Sequence, residues 1–347
     1  MTMFHSWSFL SMTELTIKQP SDFHVHLRQG DELEAYTVQT AKHFENILVM
    51  PNTKPPITTA ERLTAYHNAI QAILVKHAID CRIFMAFKLV PGMGERAVLD
   101  CIRAGALIGK YYPSGSTTNA EDGPTHPSDI KEELRTLEQA QGILSIHAES
   151  PTSPEFLKER DFLSTIEYIL ERYPKLRIVI EHLSTAGTVD AVLGWPDRVA
   201  GTITAHHLRY TVDDLLTDGI DSSLYCKPIL KTEHDRKALI SAAISGNPKF
   251  FFGSDSAPHP FEKKHIFPVP AGAYTAPVRL SLLAEVFEEN DALHMLEYFT
   301  STAGTAWYGI SSSNSYITLI KKPWKVPDCI DGAFPVAHGR TLQWQIV

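Results

Sequence analysis

The chain has 347 residues, 44% of them apolar, with a formal net charge of −8 at pH 7 and 4 cysteines. That length and apolar share can bury a substantial core, as one large α/β domain or two smaller ones. The acidic balance and a sequence pI near 6.0 argue against nucleic acid or an acidic membrane as the main partner, since both favour a basic face, and point to a small-molecule ligand.

Residues 1–14 are read as an N-terminal extension. They are mildly apolar but have no basic leading segment, long apolar stretch or small-residue cleavage site, so no secretion signal is expected. No run approaches the roughly 18 apolar residues that would span a bilayer, and a cytoplasmic protein is expected. Residues 15–347 are read as a single domain. Within it, β-rich runs are predicted at 22–27, 46–50, 82–87, 106–111, 143–147, 177–182, 199–205 and 250–253. Helical apolar spacing falls between them at 60–77, 95–103, 128–141, 155–173, 185–193 and 234–245. Cys81, Cys101, Cys226 and Cys329 are far apart with no C-x-x-C pair, which suits buried free thiols in a reducing compartment.

Repeated βα units predict a parallel sheet covered by helices, and eight of them predict a closed (β/α)8 TIM-type barrel with its site at the carboxyl ends of the strands. The polar residues follow that rule. The first run ends in His24-Val25-His26-Leu27-Arg28, the second in Pro51-Asn52, the fourth in Lys110, the fifth in His147, the sixth in His182 and the eighth in Asp255. An open doubly wound sheet is the structural alternative, but it would gather ligands at one switch point. In an extended strand residues i and i+2 share a face, so His24 and His26 can grip one ion with Arg28 just beyond. A lone His-x-His would equally suit a core or a surface. Lys110 could be a structural lysine paired with a carboxylate, and Asp255 a turn or cap aspartate.

The motifs Asp22-Phe23-His24-Val25-His26-Leu27-Arg28, Met50-Pro51-Asn52-Thr53, Gly109-Lys110-Tyr111-Tyr112-Pro113, His147-Ala148-Glu149, Glu181-His182, Tyr225-Cys226-Lys227-Pro228 and Gly253-Ser254-Asp255-Ser256-Ala257-Pro258-His259 occur in an order that resembles the amidohydrolase superfamily. Within it they are most similar to the homodimeric (type II) class of dihydroorotases, from about Leu15 to the C-terminus. The resemblance implies a zinc-dependent cyclic amidohydrolase that interconverts N-carbamoyl-L-aspartate and L-dihydroorotate in pyrimidine biosynthesis. It implies two zinc ions per subunit. His24, His26 and Asp255 would serve one ion, His147 and His182 the other, and Lys110, carboxylated by carbon dioxide, would be shared. Imidazole and carboxylate suit zinc, and a free ammonium cannot bind it. Asp255 is implied as the proton shuttle for a zinc-activated hydroxide.

By the same resemblance Arg28, Asn52 and His259 hold the substrate carboxylate, and backbone at Ala271-Gly272 and Lys227 meets the ring amide. Lys227 departs from the apolar residue expected there. Thr117 and Thr118 are implied lid contacts in a small, polar loop that could also be a surface linker. His206-His207 at the seventh strand end reads as structural. Many relatives carry a cysteine-rich stretch between Pro260 and Pro277, where this chain has Phe261-Glu262-Lys263-Lys264-His265-Ile266-Phe267-Pro268.

Two other readings compete. A hydantoinase-like enzyme would share the metal centre but not the carboxylate clamp, and an inactive homologue kept as a scaffold would be expected to lose ligands. A nucleotide-dependent dehydrogenase is excluded by the lack of G-x-G-x-x-G after any strand.

Overall fold

The computed structural model describes residues 13–347. Most of the expected extension therefore lies outside the described residues, and Glu14 already opens a strand, β1 (Glu14–Lys18). The next eight strands, β2 (Ser21–Val25), β3 (Asn46–Val49), β4 (Arg82–Lys88), β5 (Ala106–Tyr111), β6 (Ile143–Ile146), β7 (Arg177–Ile180), β8 (Val199–Ile203) and β9 (Phe250–Phe252), form one parallel sheet in sequential order. Its edges meet through a parallel bridge between Val25 and Ser256, supported by the Asp255 N–H donating to the His24 carbonyl at 2.9 Å. The sheet thus closes as the expected (β/α)8 barrel.

Helices and short helical turns follow the strands. The expected segment 128–141 divides into a 3-10 turn, Pro127–Ile130, and a helix, Lys131–Gln139, while the expected 155–173 begins as helix only at Lys158. Two helices had no clear apolar period in the sequence, Leu33–Ala41 and Arg279–Glu289. The second is buried from Arg279 through Phe287, because one flank packs on the barrel layer and the other on a small antiparallel sheet. That sheet contains β1, β10 (Tyr316–Lys325) and β11 (Thr341–Ile346), with β10 in the centre. The indole of Trp344 is fully buried there and donates to Glu288 at 3.0 Å. Of the four cysteines, three are buried as expected; Cys329 is exposed, a correction, because it lies in the loop between β10 and β11.

The barrel core is set by the two-residue pleat. Leu48, Val179 and Phe251 join an inner cluster, while their neighbours Ile47, Val49, Ile178, Ile180, Phe250 and Phe252 face the helical layer. Strands buried on both faces must be apolar at nearly every position, as Arg177-Ile178-Val179-Ile180 and Phe250-Phe251-Phe252 are. A short helix, Ala303–Tyr308, closes the amino end of the barrel. Tyr308 stacks on Phe23 at 4.7 Å, and a Cβ on Gly304 would fall 2.4 Å from the Phe23 ring, so no larger residue fits. Arg82 and Arg177, the first residues of β4 and β7, bond to Ser311 just after it and to Trp307 within it. The opposite, carboxyl end is left for the site.

Candidate active site

The same pleat that fills the barrel delivers a polar layer above the apolar one. Two residues beyond the inward Ile108, Ile143, Val179 and Ala200 come Lys110, Ser145, Glu181 and Thr202, all buried. They bond to one another: Lys110 Nζ donates to Ser145 Oγ at 3.2 Å, Thr202 Oγ1 donates to Glu181 Oε2 at 2.7 Å, and Ser145 donates to the other Glu181 oxygen. Lys110 Nζ lies 4.0 Å from Glu181 Oε1. Burial pulls the Lys110 ammonium down to about 8 against the opposing charges of Glu181 and Asp255.

Above this layer sit the imidazoles. His24 Nδ1 meets Glu181 Oε2 at 2.8 Å, which leaves His24 Nε2 facing His26 Nε2 at 3.3 Å. Asp255 Oδ1 lies 3.0 Å from His26 Nε2 and 3.4 Å from His24 Nε2. These three residues form one buried group whose donor atoms all lie within 4.8 Å of one another. His147 Nδ1 faces His182 Nε2 at 3.1 Å, and its other nitrogen meets Glu149 Oε2 at 2.9 Å. A carboxylate on the far nitrogen of a histidine is the usual device for aiming a metal ligand. His182 Nδ1 is buried without a partner.

Burial favours the neutral form of His26, His147 and His182, the one with a free lone pair. It lowers His26 to about 4, and shifts His147 down and His182 well down from the ordinary histidine value. Burial opposes ionisation of Asp255, yet His24, His26 and His182 hold its carboxyl well below the usual range. The donor set, neutral imidazoles with a carboxylate, fits divalent cations of the zinc type.

Arg28, His182 and Asp255 have left-handed backbone, with φ of 63°, 43° and 45°. Non-glycine residues rarely adopt such angles, and they gather at functional sites, where surrounding structure holds them. Here the turn takes each side chain off the strand ladder and into the barrel mouth. Asp22 supports that mouth. It accepts from the Ser254 N–H at 2.8 Å and pairs with Arg279 at 3.1 Å, tying β2 to the segment that bears Asp255.

His24, His26, Arg28, Asn52, Tyr112, Thr117, Thr118, His147, His182, Lys227, Asp255 and Ala271 line one cavity of about 370 Å³. Lys110 lies just beneath, behind Tyr112, whose ring centroid is 5.2 Å from its Nζ. His259 stands at the edge, where its Nε2 is 3.1 Å from Arg28 Nη2 and 3.0 Å from the Ala271 carbonyl. Arg28 Nε donates to the Pro258 carbonyl at 2.9 Å. The loop carrying Thr117 and Thr118 packs over β3: Asn52 Nδ2 donates to the Thr118 carbonyl at 3.2 Å and Asn119 Nδ2 to the Asn52 carbonyl at 2.9 Å.

Every residue expected at the site therefore lies at the carboxyl end of the barrel. Sequence reasoning missed the supporting groups Asp22, Ser145, Glu149, Glu181, Thr202 and Arg279, and the cavity-lining Tyr112. Asp22, Tyr112, Glu149 and Glu181 stand inside the quoted motifs, and the i+2 rule from inward apolar residues finds Ser145, Glu181 and Thr202. His206, His207 and Cys226 form a second buried group of metal-type side chains. In it His207 already bonds Thr204 at 2.8 Å and the Pro228 carbonyl at 3.1 Å, and the Cys226 thiol donates to that same carbonyl.

A (β/α)8 barrel with histidines, a buried lysine and a carboxylate converging on the strand ends is the arrangement of the metal-dependent amidohydrolases. No family profile matches the chain. A curated dihydroorotase from Coxiella burnetii is 39% identical over 343 residues, covering 96% of this chain and 98% of that protein. Among solved structures, dihydroorotase from Saccharomyces cerevisiae in complex with 5-fluoroorotic acid superposes with a TM-score of 0.89 at 30% identity, covering 97% of this chain and 99% of that one. Dihydroorotase from Campylobacter jejuni also gives a TM-score of 0.89 at 30% identity, covering 96% and 98%. The chain belongs to the dihydroorotase family. No helix among the described residues is long and apolar enough to cross a membrane.

Proposed function

We propose that the chain catalyses the reversible cyclisation of N-carbamoyl-L-aspartate to L-dihydroorotate and water, in pyrimidine biosynthesis in the cytoplasm. Residues 15–347 act as one hydrolase domain, in a homodimer of the type II class. The observation that carries this reading is the cavity itself, in which a guanidinium, Arg28, shares one wall with the His24, His26 and Asp255 group. Both ligands carry a carboxylate that does not react. A planar fork binds such a group bidentately, which distinguishes this site from one built for an uncharged hydantoin.

His24, His26 and Asp255 would hold one zinc ion, His147 and His182 a second, and Lys110 would be shared between them as its carbamate. The depressed pKa of Lys110 supports that reading, because the neutral amine is the form that adds to carbon dioxide. Bound there, the two ions would supply Lewis-acid polarisation of the amide carbonyl and ready access to hydroxide near neutral pH. The chain's own groups do the rest. Arg28, with Asn52 and His259, holds the carboxylate; Ala271 and Lys227 present main-chain groups to the ring; Thr117 and Thr118 close over the ligand and exclude water. Asp255, ionised in the resting site, takes the proton of the attacking water through its carboxylate and hands it to the leaving amide nitrogen. Ring closure runs the same transfers in reverse.

Elemental analysis of gently purified protein is expected to show about two divalent ions per chain, because the donors are too many for one tetrahedral centre. The companion assay uses N-carbamoyl-L-aspartate at mildly acidic pH and dihydroorotate at alkaline pH. A fully active, metal-free preparation would sink the mechanism.

Arg28→Lys keeps the charge and loses the fork. Apparent affinity for dihydroorotate is expected to fall about tenfold to a hundredfold, the worth of roughly 1.5 to 3 kcal/mol of charge-assisted hydrogen bonding, while metal content stays unchanged. Unaltered affinity would return the advantage to the hydantoinase-like reading.

A further inference from the structure

The segment 261–268 is mostly open to solvent, with Phe267 97% and Ile266 61% exposed. Lys264 in its midst is only 2% exposed. A buried ammonium is costly unless each of its three N–H donors finds an acceptor. Each does: Nζ donates to the carbonyls of Tyr225 at 3.2 Å, Pro270 at 3.1 Å and Gly272 at 2.9 Å. All three acceptors are backbone, and they come from two different segments of the cavity wall.

We propose that Lys264 is a positioning residue whose ammonium fixes the backbone wall of the ligand cavity and so sets substrate affinity; the inference rests on the reaction proposed above. The two segments that it joins supply Lys227, Ala271 and Gly272 to the cavity lining, and the Gly272 N–H itself donates to the Tyr225 carbonyl at 2.9 Å. The Pro270 carbonyl shares a rigid peptide plane with the Ala271 N–H, so holding one sets the direction of the other and strengthens it as a donor. Beyond Ala271 the contacts continue through its carbonyl to His259 and from His259 to Arg28. There is no side chain to take up slack. Gly272 has a φ of 149°, and a Cβ there would come 2.5 Å from the Ala257 carbonyl. Burial lowers the Lys264 ammonium to about 8, and its three carbonyl partners favour the protonated form that donates to all of them.

Lys264 touches none of the imidazole or carboxylate donors, so its loss should separate binding from chemistry. The test is steady-state kinetics in both directions on the full chain, for wild type, Lys264→Met and Lys264→Gln, with metal content and thermal midpoint measured alongside. Lys264→Met is expected to raise KM by about tenfold or more, the worth of a lost charge-assisted hydrogen bond, with kcat and bound metal unchanged. Lys264→Gln, whose amide restores two donors, is expected to fall between Met and wild type. A merely structural lysine would lower the thermal midpoint and leave KM where it was. Unchanged KM in both variants, a fall in kcat alone, or failure of both to fold would overturn the inference; if only Met fails to fold, the Gln variant is judged by the same criteria. Wild type that turns over neither substrate would overturn the proposed reaction and this inference together, whereas active wild type with unshifted variants overturns the inference alone.

Discussion

Lys110→Ala is expected to cut turnover by more than about 10³, the scale seen when one member of a group that acts as a unit is removed. The side chain is fully buried beneath the imidazoles, with Ser145 as its hydrogen-bond partner and Glu181 within reach. Truncation removes the shared ligand and leaves Glu181 as a buried carboxylate without its cation, so bound metal is expected to fall as well. Acetate or propionate is expected to recover a fraction of the activity by placing a carboxylate in the vacated space. Lys110→Arg is expected to fail too, since a guanidinium does not form the carbamate. Turnover and metal content near wild type in the arginine variant would make Lys110 merely structural and remove the basis for a shared ligand.

Asp255→Asn is expected to lower kcat by about 10² to 10⁴, the usual worth of a positioned general acid–base group. Asparagine keeps an oxygen where Asp255 Oδ1 meets His26 at 3.0 Å, but it cannot accept the proton. Metal analysis of the same sample distinguishes a lost shuttle from a lost ligand. A variant that retained its metal and worked within about tenfold of wild type would place the proton transfer elsewhere, because so small a loss lies below the range for such groups.

The places of Lys110 and Asp255 were legible in the sequence because a parallel barrel is written in short apolar runs whose ends are polar; their roles came from the family resemblance. All eight strands fall where the runs were read, but several stop earlier. The run 177–182 is strand only to Ile180 and 199–205 only to Ile203. The residues lost from the ladder include His182, which turns to positive φ, so the periodicity was overridden where the chain enters the cavity. The helix Arg279–Glu289 escaped for a different reason. An amphipathic stripe needs a solvent face, and this helix has almost none. The sheet of β1, β10 and β11 pairs Glu14 with Ile320, a distance along the chain that no local pattern encodes. Lys264 was not singled out, since nothing local distinguishes a buried ammonium from its solvated neighbour Lys263.

The barrel seam lies between β2 and β9, and it divides the proposed ligand group: His24 and His26 come from one edge, Asp255 from beyond the other. The edge that bears His24 and His26 is thus synthesised well before Asp255, with the other strands of the barrel between them. β1 waits longer still for β10. A nascent fragment that ends before Asp255 lacks the carboxylate of the group. Assembly of the group and closure of the ring become a single event, and a cation held across the seam would fasten the first and last strands of the barrel together like a clasp.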